Sequence, residues 1–398
     1  MSRILTTHTG SLIRPAELRP FLWAVERGEP YDADAFHRAL RPAVRDVVRK
    51  QADAGIDVVN DGEFGKISWI TYLYDRVGGI ETRLKPYEGR AVLDLVPASV
   101  DREKYGEEAV FQEVWRFADF WTEDYSASGE GTTWACTGPI VYDPAENDVQ
   151  LAILREAVDE VDVTDAFVTA VSPASLYWIS NEHYPTERDF VFAVADALGQ
   201  EYRAIVDAGF VLQVDDAVMW HKLATIKMAG GGFADYREWA ELRVEAINRA
   251  LEGIPQDRVR YHICSSSGHG PHTVDPGIDE VLEFVLAVNA GAYLVEQANV
   301  RHEHEWTVWN DIPLPSDKVL VPGVVTHHTE VVENPKLVAQ RLERMAAILG
   351  PERVMGGTDC GFAQAATTRR VPEWTQWAKL RSLAEGAALA NEAVTASA

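Results

Sequence analysis

The chain has 398 residues, 46% of them hydrophobic, and a formal net charge of -25. That is enough apolar material for one large core, within reach of a single α/β barrel with insertions. The charge argues against a nucleic-acid backbone or an anionic membrane as partner. Three cysteines are too few for a disulfide scaffold. The amino terminus lacks a basic-then-apolar leader and no apolar run is of bilayer length, so the expected compartment is cytoplasmic.

In chain order, Ile4-Leu5-Thr6-Thr7 reads as a short strand running into the turn His8-Thr9-Gly10-Ser11. Phe36 to Ala54 has helical periodicity, with Leu40, Val44, Val47 and Val48 on one face, Pro42 inside and Gly55 as the stop. Asp57 to Asn60 is the next strand, followed by Asp61-Gly62-Glu63. The unit of helix, short loop, strand and polar strand end then recurs. Further strand-like segments are Thr133–Cys136, Phe167–Val171, Phe210–Val214, Val259–Ile263, Tyr293–Val295, Val319–Val325 and the run Val354-Met355 before Cys360. Helices are expected between them at Asp189–Ala208, Glu238–Glu252 and Lys336–Leu349.

This alternation predicts a parallel sheet with crossover helices, closed as a (β/α)8 TIM barrel. Nine strand-like segments are one more than such a barrel needs, so one is accessory. Residues 1–398 are taken as one domain, with an irregular insertion at about 83–131. The insertion holds Trp115, Phe117, Phe120 and Trp121 among many acids, and is read as a cover over the barrel mouth or as a homo-oligomer contact. The tail after Glu385 is Ala-rich and reads as a fraying helix.

The chemistry-bearing residues collect at one kind of position. Glu63, Cys136, Asp215, His262, Cys264, Glu296, His328 and Cys360 all stand at or just after strand carboxyl ends, the face where barrel active sites lie. His262 and Cys264 are i and i+2 at a strand end and so point to one side. With Cys360 they offer two sulfurs and a nitrogen, a soft set that suits Zn²⁺. Two buried thiols and a core histidine are the alternative reading of the same residues.

Six motifs together resemble the catalytic barrel of cobalamin-independent methionine synthase. They are Thr6-Thr7-His8-Thr9-Gly10-Ser11, Asp61-Gly62-Glu63, His262-Ile263-Cys264, Arg301-His302-Glu303-His304-Glu305-Trp306, Pro322-Gly323-Val324 and Gly357-Thr358-Asp359-Cys360-Gly361. The chain is similar above all to that enzyme's stand-alone relatives, such as epoxyalkane:coenzyme M transferase. The resemblance implies one catalytic Zn²⁺ on His262, Cys264, Glu296 and Cys360. Glu280 and Glu283 are nearby acids, but they fall on a helix whereas Glu296 ends a strand. It further implies that Ser11, Glu63 and Asp215 hold the amino-acid part of a thiol substrate. It makes His328 a proton donor, with His327 beside it as an ambiguity, and puts Trp178 near the aromatic that stacks on a pterin. Arg301 is a candidate anchor for an anionic group, or else a salt-bridge partner of Glu303 or Glu305.

The expected activity is zinc-dependent transfer of a methyl or other alkyl group, with a zinc-bound thiolate attacking an electrophilic carbon. The partners are then a small-molecule thiol and an alkyl donor. The alternatives are a zinc lyase or hydrolase activating water, with His328 or Glu63 as the base, a non-catalytic metal-binding barrel, or a methionine synthase proper with a folate donor. Two departures from the family pattern bear on the donor and the thiol. The stretch Cys136 to Ile140 lacks a basic residue, and Ser265-Ser266-Ser267-Gly268-His269-Gly270-Pro271-His272 replaces the run usual after the zinc cysteine.

Overall fold

The computed structural model describes residues 3–86, 130–176, 179–267, 272–273, 275–366 and 369–397. The strands are β1 (Leu5–Thr6), β2 (Val58–Val59), β3 (Val77–Pro86), β4 (Glu130–Tyr142), β5 (Asp165–Val171), β6 (Ile179–Asn181), β7 (Val211–Asp216), β8 (Val259–Ile263), β9 (Ala292–Val295), β10 (Val319–Val325) and β11 (Met355–Thr358). Eight form a parallel sheet in the order β1-β11-β10-β9-β8-β7-β5-β2. Its two end strands meet: Asp57 N–H donates to the Thr6 carbonyl at 3.2 Å, and Thr7 Oγ1 donates to the Val58 carbonyl at 3.0 Å. The sheet is therefore the ring of a (β/α)8 barrel.

The strands read as near-continuous apolar runs because both faces are covered. The helix Ala33–Asp53 shows how the cover is made. Asp32 caps it by accepting from Ala35 N–H at 2.9 Å. Phe36, Leu40, Val44, Val47 and Val48 face the barrel, and Pro42 lies on the exposed side, where water can take the carbonyl its ring leaves without a partner. The later crossover helices are Glu187–Asp207, Phe233–Ala250 and Pro335–Leu349, each within a few residues of the periodicity reading.

Two expectations need correction. The accessory segment is Thr133–Cys136: it lies in β4, which pairs antiparallel with β3 and parallel with β6 in a separate three-stranded sheet. Cys136 thus belongs to this second sheet and does not end a strand of the eight-stranded ring. The tail is also no fraying end. The helix Glu373–Ser397 packs on the barrel, with Ala387 and Ala390 buried and Asn391 bonded to both the N–H and the carbonyl of Ile4. Small alanines let it approach closely, a role that composition alone does not distinguish from disorder. Most of the insertion, residues 87–129, lies outside the described residues, as does Trp178. Among the described residues no helix is long and apolar enough to cross a membrane.

Candidate active site at the strand carboxyl ends

The centre of the site is the end of β8. Its neighbours fix the register, with Asp215 of β7 opposite His262. Asp215 Oδ1 accepts from His262 Nδ1–H at 2.9 Å and from Gln213 Nε2 at 2.7 Å. Asp216 is saturated by Tyr261 Oη, Ser172 Oγ, Ser175 Oγ and the N–H groups of Val218 and Met219, so the β7 end is rigid. The bond to Asp215 sets the imidazole tautomer and leaves the Nε2 lone pair facing the barrel mouth. That nitrogen is buried and makes no well-formed hydrogen bond.

Cys264 and Cys360 converge on the same place from β8 and from the loop after β11. Each shifts the other's proton, and Cys360 shifts with His262 as well. Cys360 is held well below the usual thiol range by its bond to Cys264, against burial, with His262 and His327 assisting. Cys264 is raised by Cys360, by burial and by Glu296. Burial alone would lower His262, but Asp215 and Cys360 push it up to about 10.

Glu296 follows β9 and is fully buried. Its oxygens accept from Ser265 N–H at 2.9 Å, from Asn299 Nδ2 at 2.9 Å and from Arg301 at 3.3 Å. Asp359 stands beside it, accepting from the N–H groups of Gln297 and Ala298 and from Asn299, and burial next to Glu296 raises it to about 7. Gly323 of β10 leaves the room this carboxylate needs, since a Cβ there would overlap Asp359 Oδ1. Among the described residues no three or more His, Cys, Asp or Glu side chains form a group that could hold a metal ion as they stand. What fits a soft cation is the donor chemistry: two coupled thiols and a buried imidazole nitrogen whose partner nitrogen is already bonded to a carboxylate.

Ser267 ties the rest together. Its Oγ meets His327 Nε2 at 2.9 Å, Gln364 Nε2 at 3.2 Å and Cys264 Sγ at 3.8 Å, and Gln364 also reaches Cys360 Sγ at 3.7 Å. His328 is half-buried, its ring 4.1 Å from that of His327 and 6.5 Å from that of His272. The loop carrying both histidines is pinned from below. Glu333 accepts from Thr326 N–H at 2.8 Å and from Lys379 Nζ at 2.8 Å, and Lys379 also donates to the Val331 carbonyl at 2.6 Å.

On the opposite side, Ser11 packs against Gly361, where a Cβ would overlap Ser11 Oγ. Glu63 is buried with φ 59°, and Arg14 donates to it at 3.3 Å. Arg301 bonds Asp275, Glu296 and the Ser266 carbonyl, so neither Glu303 nor Glu305 is its partner. Arg14, Ser267, Asn299, Asp359 and Gln364 were not singled out from the sequence. Asp359 carries a signal there as the neighbour of Cys360 in Gly357-Thr358-Asp359-Cys360-Gly361, and Ser267 lies in the loop that departs from the family pattern.

The family model of the cobalamin-independent synthase catalytic domain matches residues 122–382. The methionine synthase of Sulfolobus acidocaldarius is 24% identical over 390 residues, 97% of this chain and 92% of that protein. That of Pyrococcus furiosus is 25% identical over 360 residues, 90% of this chain and 86% of that one. In fold, a B12-independent methionine synthase from a Shewanella species in complex with selenomethionine superposes with a TM-score of 0.70 at 17% identity, covering 99% of this chain and 100% of that one. A putative B12-independent methionine synthase from Listeria monocytogenes gives 0.62 at 22%, covering 97% and 98%. With the six motifs gathered on one face of one barrel and the family model matched over most of its length, the chain belongs to the family of the cobalamin-independent synthase catalytic domain.

Proposed function

We propose that this chain is a transferase that moves a methyl or related alkyl group onto the sulfur of a small thiol. The observation that carries the reading is the convergence of His262, Cys264 and Cys360 at the barrel mouth. The methionine synthases aligned over nearly the whole chain make methyl the first group to test. The implied metal is Zn²⁺, with His262, Cys264 and Cys360 holding it and Glu296 beside them. When bound, it would keep a substrate sulfur ionised at neutral pH. The reading treats residues 1–398 as one catalytic unit.

The chain's own residues do the rest. Asp215 orients His262 and fixes its tautomer. Ser267, His327 and Gln364 hold the two sulfurs in place from the other side. His328 gives or takes the substrate proton, since an imidazole titrates near physiological pH. The burial of His262, Cys264 and Cys360 excludes water from the nucleophile. A polyglutamated folate is disfavoured as donor by the net charge of -25.

The test is metal content and turnover. The wild-type protein is expected to bind about one Zn²⁺ per chain and to alkylate a thiol. Cys264→Ala and Cys360→Ala should lose both properties. Full zinc content in both variants would overturn the assignment.

A further inference from the structure

We infer that Gln364 and Ser267 guard the chain's own cysteine sulfurs against alkylation, so that the group being moved goes to the substrate sulfur. The inference deepens the thiol-transfer reading above and rests on it.

A site that ionises a substrate thiol beside two protein sulfurs carries a hazard. Cys264 and Cys360 are nucleophiles of the same kind as the substrate. Either can attack an electrophilic carbon at the barrel mouth. A bond forms between that carbon and the cysteine sulfur, the bond to the leaving group breaks, and its electron pair departs with the leaving group. The cysteine becomes a neutral thioether and is lost as a soft anionic donor. A hydrogen bond donated to the sulfur opposes this step. It favours the charged sulfur and is weakened as alkylation removes the charge, so it raises the barrier to attack.

Each sulfur has one such donor. Gln364 Nε2 lies 3.7 Å from Cys360 Sγ, 3.2 Å from Ser267 Oγ and 2.7 Å from the Gly361 carbonyl. The orientation of this amide is set: its Oε1 accepts from Arg370 Nε at 2.8 Å, which turns the NH2 end toward the sulfur. Arg370 is itself tied down by its N–H to the Phe362 carbonyl at 2.8 Å, and the Gln364 carbonyl accepts from Trp69 N–H at 3.0 Å. Both amide protons of Gln364 are therefore committed, and neither is left for an incoming thiol.

Ser267 serves the other sulfur. Its Oγ is 3.8 Å from Cys264 Sγ and 2.9 Å from His327 Nε2. In the tautomer that carries its proton on Nε2, His327 fills one lone pair of this oxygen and Gln364 fills the other. A hydroxyl has a single proton, and that proton is then directed to Cys264. Ser267 lies in the stretch that departs from the family pattern, so this part of the guard belongs to the chain itself.

The experiment treats the zinc-replete protein with methyl iodide, with and without homocysteine, and reads methylation of Cys264 and Cys360 by peptide mass spectrometry. Zinc content is measured alongside, and each rate is taken per zinc-loaded chain. In wild type the methyl group should go to homocysteine while both cysteines stay unmodified. Gln364→Met keeps the length of the side chain but has no N–H, and should speed methylation of Cys360 about tenfold with a smaller effect at Cys264. Ser267→Ala should act in the same way on Cys264, and Ser267→Thr, which keeps the hydroxyl, should not. The two Ser267 variants decide the matter alone if Gln364→Met does not fold. Wild-type rates at both sulfurs in Gln364→Met and Ser267→Ala, or a rise at both sulfurs that Ser267→Thr shares, would overturn the inference and leave thiol transfer standing. A wild-type protein that holds no zinc, or that methylates homocysteine no faster than buffer does, would overturn thiol transfer and the inference together.

Discussion

Lys379→Met tests whether the helix Glu373–Ser397 holds the loop that carries His327 and His328. Lys379 and Glu333 form an ion pair at 2.8 Å with side chains 0% and 7% exposed. Glu333 spends its second oxygen on Thr326 N–H, one residue before His327. Methionine fills nearly the same volume but leaves a buried carboxylate without its cation. Breaking one half of a buried pair costs about 3–5 kcal/mol. Unfolding entropy of roughly 2.1 cal/mol/K per residue over 398 residues converts this to a fall in Tm of about 4–6 °C. Differential scanning calorimetry is the assay. The double variant Glu333→Gln/Lys379→Met removes both charges and should recover part of the loss. A Lys379→Met protein within about 1 °C of wild type would refute the reasoning, because the pair would then carry no net stabilisation.

Other outcomes follow from the same geometry. His8 is enclosed in the barrel, its Nε2–H donating to Gln51 Oε1 at 2.7 Å and its Nδ1 accepting from Gly10 N–H at 3.2 Å. Burial, with some help from Arg260, lowers it from 6.5 to about 4 despite the Gln51 bond. Between those values the unfolded chain binds the extra proton and the native chain does not. The stability contribution is therefore complete above pH 6.5 and is lost as pH falls toward 4, by about 3 kcal/mol. His8→Gln should flatten the fall of Tm over that window, and an unchanged slope would count against it. His328→Gln should lower kcat by about 10²–10⁴-fold with little change in KM. A larger kcat loss from His327→Gln would move the proton role to the residue that touches Ser267. Gly361→Ala should cost about 1–3 kcal/mol by overpacking against Ser11, and should be partly rescued by Ser11→Gly, which removes the clashing Oγ. Absence of rescue would place the strain elsewhere.

The barrel was legible because its signal is periodic. Apolar strands ending in polar residues recur at βα spacing, and crossover helices such as Ala33–Asp53 show one apolar face. The accessory strand could not be identified the same way, because Thr133–Cys136 has the local pattern of a barrel strand and only its pairing with β3 separates it. Of the candidate site, what was legible is the placement of residues at strand ends, as with His262 and Glu296. It was not legible where the partner arrives from far away in the chain. Arg14 meets Glu63 across 49 residues, and Ser267 meets His327 across 60, with nothing in either local sequence to announce the contact. Lys379 reads as one more helix lysine until its burial is known.

The arm formed by β3 and β4 has a consequence for how such a protein can change. The two strands leave the barrel side by side, and their last paired residues are Lys85 opposite Gly131 and Pro86 opposite Glu130. Everything between those points enters and exits through neighbouring positions of one ladder. The ring of eight strands is therefore insulated from the length of what is inserted, since closing a longer loop between fixed ends costs only about 0.6 kcal/mol per doubling. A short hairpin turn could take the place of residues 87–129 without moving a barrel strand. Descendants of this fold can exchange that segment as a cassette, while the residues that hold the sulfurs stay where they are.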